Sequence, residues 1–227
     1  MSIWVILVLI AASTIGSGLI YKALQAGGRK QADYQAFAQA QGWHYQRVEP
    51  KTGFEKVDEF SDPQDDWRLK IIVAGAGAKR GVVHRRQEWQ SPQGALAGGE
   101  AVLGMPLPQK SVAMLQTGGP MGQQILKAAL KATFHALGKT KFDLAIDDAT
   151  AGDPGGVVMT SEGQAKAMDS LRANGDLVRF RDTHKKAEVP VILRDPEGLK
   201  LRRPGAVKDL KDLVALVALG KSLRADL

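Results

Sequence analysis

The longest uninterrupted apolar run lies at the start of the chain: Ile3 to Ile20, IWVILVLIAASTIGSGLI, holds eighteen residues without a charge. At 1.5 Å per residue it measures about 27 Å as a helix, close to the hydrocarbon thickness of a bilayer, which predicts a membrane-spanning segment. Trp4 and Tyr21 stand at its ends, and Lys22, Arg29 and Lys30 follow, the arrangement interfacial aromatics and flanking cations favour. A removed signal peptide would want basic residues first and small residues at the cut. No Lys or Arg precedes Ile3, and Leu24 stands where a small residue belongs. The division this predicts is a transmembrane anchor over 1–26 and a soluble domain over 27–227, with a Gly/Pro/Gln-rich stretch at 106–122 as a point of subdivision.

Behind that run the periodicity switches between helix and strand. Arg29 to Gln41 places Tyr34, Phe37 and Ala38 on one stripe, with Gly42 where a helix C-cap belongs. Trp43 to Val48 alternates like a strand. The acidic stretch Lys51 to Asp66, interrupted by Pro63, predicts a loop. Trp67–Ala74 and Gly81–Gln90 predict a hairpin, with Gly99–Met105 as a third partner. A helix is expected from Gly122 to Leu137, with Ile125, Leu126, Leu130 and Phe134 on one face. Short strands follow at Lys141–Ile146 and Gly156–Met159. Ser161 and Gln164 form a capping-box pattern, predicting a helix that ends at Asn174 and Gly175. Strands are expected at Asp176–Arg181, Val189–Leu193 and Leu199–Arg203, the last two joined by the turn Asp195-Pro196-Glu197-Gly198. An amphipathic helix from Val207 to Leu223 closes the chain. Hairpin-length links dominate, so the fold class is α+β: an N-terminal transmembrane helix followed by an antiparallel or mixed sheet packed with helices.

Charge adds direction. Lys and Arg outnumber Asp and Glu by 31 to 24, a formal +7. All basic residues follow the apolar run, which predicts a single-pass inner-membrane protein with its domain in the cytoplasm. Ala12 and Gly16, and Ser13 and Ser17, are spaced four apart, a small-residue face suited to packing on another membrane protein. Basic residues cluster at Lys79, Arg80, Arg85 and Arg86, at Arg179, Arg181, Lys185 and Lys186, and at Lys200, Arg202 and Arg203. Together with Lys22, Arg29 and Lys30 they suit anionic headgroups of the lipid bilayer or an acidic partner. Nucleic acid is disfavoured, because only Phe180 is interleaved with Arg and no recognised motif is present.

Candidate chemistry is thin. The chain has no cysteine, excluding disulfides, thiolate metal sites and a Cys nucleophile. Gly75, Gly77 and Gly81 follow a strand but precede another strand instead of the helix a dinucleotide needs, so they read as a hairpin turn. Asp143, Asp147, Asp148 and Asp153 lack EF-hand spacing. His44, His84, His135 and His184 show no zinc spacing, and the serine-hydrolase elbow is missing from the soluble part. No catalytic, cofactor-binding or metal residue is assigned. The functional expectation is a membrane-anchored binding or scaffold protein at the cytoplasmic membrane surface. The alternatives are an enzyme with a site assembled from distant residues, for which the Asp143–Asp153 loop and the Gly75–Gly81 turn are the places to look, or an exported, membrane-tethered domain.

FAQAQGWHY (Phe37 to Tyr45), RRQEW in mid-chain and ILRDPEGLKLRRP (Ile192 to Pro204) resemble a group of uncharacterised bacterial single-pass membrane proteins with one α+β domain. The likeness covers most of the chain and implies no site residues.

Overall fold

The computed structural model describes residues 29–48, 55–75, 83–117, 119–121, 124–125, 128, 144–150, 152–164 and 166–227. The chain divides into two compact units, Met1–Gln46 and Arg47–Leu227.

In the first unit, helix α1 covers 29–41 and buries Tyr34 and Ala38. It ends as the sequence predicts. Gly42 takes φ 72°, its N–H donates to the Gln39 carbonyl at 3.1 Å, and the Trp43 N–H donates to that of Ala38 at 2.8 Å. This paired closure needs a residue free of Cβ strain at Gly42. The Trp43 ring packs edge-on against Phe37, 5.6 Å between centroids.

Strand β1 (His44–Val48) leads into the second unit, whose elements are β2 (Glu55–Asp62), β3 (Asp65–Gly75), β4 (Val83–Ser91), β5 (Ala101–Leu103), α2 (Gln109–Thr117), β6 (Ala145–Ile146), β7 (Val158–Thr160), α3 (Asp169–Arg172), α4 (Gly175–Thr183), β8 (Val191–Asp195), β9 (Gly198–Pro204) and α5 (Lys211–Ala225). The nine strands form one sheet in the order β1-β2-β3-β4-β9-β8-β5-β7-β6, and the pairings from β2 through to β6 are antiparallel.

One transverse row runs through seven strands: Phe60, Leu69, Trp89, Leu201, Ile192, Leu103 and Val158 are successive register partners. All seven are buried, each side chain contributing about 1.5–3 kcal/mol. Helix α5 packs against β4 and β9 on this side, and α4 packs on α5. Side chains alternate between faces, so the neighbouring row Glu59, Lys70, Glu88, Arg202 looks the other way. There, Arg202 Nε meets Glu88 Oε2 at 2.5 Å. Further along that second face, Val102, Ile146, Val157, Met159, Val191 and Leu193 make an apolar cluster with Leu107 and Leu144 against it.

The fold differs from the sequence expectation at several points. The class that included a transmembrane helix is corrected: among the described residues no helix is long and apolar enough to cross a membrane. The fifteen-residue α5 rises only about 22 Å and carries Lys211, Asp212, Lys221 and Arg224. The segment that prompted the anchor, Ile3 to Ile20, lies outside the described residues, as does most of the helix expected over 122–137. The acidic stretch read as a loop contains β2, because Asp58 and Glu59 find Arg47 and Arg68 as partners at 2.8 and 3.9 Å while Phe60 enters the core. Residues 99–105 do contribute a strand, but it joins β7 and β8 rather than the β3–β4 hairpin. The Ser161 hydroxyl does not cap a helix; it accepts from Glu100 N–H at 2.9 Å. The span 176–181, expected as a strand, is helical.

Candidate functional site

The helix of residues Gly175–Thr183 creates the site. Asn174 opens α4 instead of closing the preceding helix: its Oδ1 accepts from Leu177 N–H at 2.8 Å, satisfying one of the donors a helix start leaves open. Leu177 and Phe180 then turn inward and are buried. The opposite flank carries Val178, Arg181 and Asp182, spaced i, i+3, i+4 and therefore on one face. Helix α3 repeats the pattern with Asp169, Arg172 and Ala173. Between these faces lies a cleft of about 680 Å³, completed by Met105 and Pro106 beyond β5, by the turn Asp153-Pro154-Gly155, and by Lys186.

The turn is built around a close approach. Asp153 Oδ1 accepts from Gly155 N–H at 2.5 Å, and the Gly156 N–H donates to the Asp153 carbonyl at 3.0 Å. Gly156 has φ +99°, and a Cβ there would fall 2.2 Å from the Gly104 carbonyl oxygen and 2.8 Å from Arg181 Nη2. Only glycine fits.

Arg181 clamps three carbonyls. Its Nη1 donates to Gly155 at 2.8 Å and Pro154 at 3.4 Å, and its Nη2 to Gly104 at 3.1 Å. Its Nε is buried and has no hydrogen-bond partner among the described residues. Burial, and then the neighbouring Arg172 charge, hold the guanidinium below its ordinary basicity. Arg172 sets Nη2 on Asp153 Oδ2 at 2.7 Å, and its Nε is likewise buried without a partner among the described residues. Two guanidiniums thus share one cleft. Only that of Arg172 meets a carboxylate among the described residues.

The lining holds three cations (Arg172, Arg181, Lys186) and three carboxylates (Asp153, Asp169, Asp182) around Met105, Pro106, Pro154, Ala173 and Val178. Among the described residues the lining has no Ser, Thr, Cys, His or Tyr to serve as nucleophile or imidazole base, and the described residues contain no group of three or more His, Cys, Asp or Glu able to hold a metal ion. The lining sets these charged groups beside apolar surface from Met105, Pro106 and Val178.

Of the residues singled out from sequence, the cleft unites Arg181 and Lys186 and adds Asp153 from the acidic loop. Lys185 is exposed beside it without lining it. Arg179 points elsewhere and pairs with Asp176 at 3.1 Å. Arg85 is exposed on β4, whereas Arg86 lies in a separate trough among Glu55, Glu59 and Glu88. Arg29 and Lys30 are exposed at the start of α1, with Lys30 Nζ 5.2 Å from the Tyr34 ring centroid. The third basic cluster turns out to be structural: Lys200 is buried and bonded to Asp195 and Glu197 at 2.5 and 2.7 Å, and Arg203 is buried against Gln87. Lys22, Ala12, Ser13, Gly16, Ser17, Gly77, Gly81, Asp143 and His135 lie outside the described residues. His184 stacks on Phe180 at 3.8 Å.

Sequence reasoning missed Arg172. The available signal was the matched spacing Asp169-x-x-Arg172-Ala173 and Val178-x-x-Arg181-Asp182 on either side of Asn174-Gly175, which is meaningful only once both segments are helical. No family model, curated protein or solved structure matches this chain.

Proposed function

We propose that the protein is a binding or scaffold module that receives an acidic group of a partner molecule in the cleft between α3 and α4. The observation that carries this is the state of Arg181: a part-buried guanidinium, held only by neutral carbonyls among the described residues, beside the second guanidinium of Arg172. An ionised group removed from water is costly without an opposite charge, and a like charge nearby adds to that cost. A bound anion relieves both, and guanidinium is suited to carboxylate and phosphate through its planar fork of donors. The lack of a nucleophile or imidazole among the described lining residues favours binding over catalysis.

The test is titration of the full chain with an acidic peptide and with its Gln/Asn counterpart, at low and high salt. The acidic form should bind more tightly, salt should weaken it, and Arg172→Ala should weaken it by about tenfold or more, with Arg85→Ala unchanged. Equal affinity for both peptides would sink the proposal.

A further inference from the structure

We infer that Asp153 occupies the seat of the ligand's carboxylate, so that the cleft takes a monocarboxylate carried on an apolar body, in chemical terms a peptide ending in an apolar residue, by exchange at Arg172. This rests on reading the cleft as an acid-binding site, and goes further by naming the ligand class and the group it displaces.

The Asp153 carboxylate is divided. Oδ2 meets Arg172 Nη2 at 2.7 Å, while Oδ1 is taken by Gly155 N–H at 2.5 Å. The guanidinium therefore receives one oxygen where its fork offers two parallel donors, and its Nε has no hydrogen-bond partner among the described residues. The same turn covers that Nε: a Cβ built on Gly155 would lie 3.4 Å from it. Exposure is lopsided as well, 45% for the Asp153 side chain against 18% for Arg172, so the acid is the member of the pair free to leave toward solvent. A ligand carboxylate taking both Nε and Nη2 would form the bidentate pair that Asp153 cannot.

Charge selects the class. Three carboxylates balance three cations in the lining, so releasing Asp153 from Arg172 opens a place for one negative charge. A dianion such as phosphate would be left under-neutralised beside Asp169 and Asp182. The apolar surface of Met105, Pro106 and Val178 has no use for a bare anion, and Val178 is 44% exposed, which suits an apolar side chain next to the carboxylate. About 680 Å³ falls in the range of sites that enclose ligands of this size.

The experiment titrates the full chain with three probes: an acetylated tetrapeptide ending in leucine with a free carboxylate, the same peptide amidated, and inorganic phosphate. The free acid should bind at least about tenfold more tightly than the other two. Asp153→Asn keeps an Oδ1 acceptor for the Gly155 N–H but removes the competing charge, and should tighten the free acid by about two- to fivefold. Arg172→Ala should abolish binding. Binding that depends on Arg172 but is unchanged or weakened by Asp153→Asn, or equally good binding of phosphate or amide, overturns the inference and leaves the acid-binding site standing. No Arg172-dependent binding of any probe overturns both. The comparison of probes on the unaltered chain decides the ligand class even if the Asp153 variant does not fold.

Discussion

A Cβ placed on Gly220 of α5 would lie 2.4 Å from Cδ2 of Trp89 and 2.5 Å from Cε2, so the helix rests its backbone directly on the indole face at the centre of the buried row. Glycine within a helix normally costs about 1 kcal/mol relative to alanine, and at an exposed site Gly→Ala would be a gain. Here the forced separation of α5 from β4 should dominate, since overpacking a core costs about 1–3 kcal/mol. Gly220→Ala is therefore expected to lower the urea midpoint, corresponding to a net loss of about 1 kcal/mol or more. A rise in midpoint would contradict this packing.

Asn174 joins two helices. Besides capping α4, its Nδ2 donates to Ser222 Oγ at 3.1 Å and to Asp226 Oδ2 at 2.7 Å. Asn174→Ala should cost about 1–2 kcal/mol through loss of the cap and its partners. Asn174→Asp keeps an acceptor for Leu177 N–H but sets a second carboxylate against Asp226, so its thermal midpoint should fall between those of the parent and the alanine variant. If Asp and Ala were equally destabilising, the cap would not be the dominant contribution.

Asn174 also marks where the sequence stopped being legible. The hairpin of β3 and β4, the turn Asp195–Gly198 and the closure of α1 at Gly42 are local patterns, and they were readable because turn chemistry and period-two alternation act over a few residues. Asn174-Gly175 was ambiguous, since the same pair can end one helix or begin the next. Taken as an ending, it left Asp176–Arg181 to be read as alternating polar and apolar residues of a strand. The positions that decide otherwise, Leu177 and Phe180, are three apart, and their burial depends on α5, far along the chain. The cleft was less legible still: Asp153, Arg172 and Arg181 meet beside Met105 because β5 is inserted between β7 and β8, a pairing fixed by Leu103 taking its place in the core row.

Asp65 gives stability a definite acid dependence. Arg224 Nη1 and Lys221 Nζ of α5 lie 2.7 and 3.0 Å from its two oxygens, and the Arg224 interaction above all holds its carboxyl below the ordinary value of 3.8. A carboxyl depressed in the folded state stabilises above the unfolded-state value, and that contribution is lost as pH falls through the lower folded value. Asp65→Asn should therefore be less stable than the parent near neutral pH, with the difference shrinking as pH drops below 3.8. Urea midpoints measured for both proteins across the acidic range would check it, and a constant difference would show that Asp65 acts through packing rather than charge.

Arg181 combines a clamp and a charge, and two substitutions separate them. Arg181→Lys keeps the positive charge, but a single ammonium on a flexible stem cannot reproduce the planar fork that reaches Gly104 on one side and Pro154 and Gly155 on the other. Arg181→Met loses the clamp and the charge together while retaining an unbranched side chain. Both variants leave those carbonyls short of a donor, so both should lose stability, by about 1–3 kcal/mol. Affinity for an acidic peptide should split them: if the uncompensated charge attracts the ligand, the lysine variant retains most of the binding and the methionine variant loses about tenfold or more. Equal losses in the two variants would instead assign Arg181 to holding the Asp153–Gly156 turn in place, leaving Arg172 as the cation that meets the ligand.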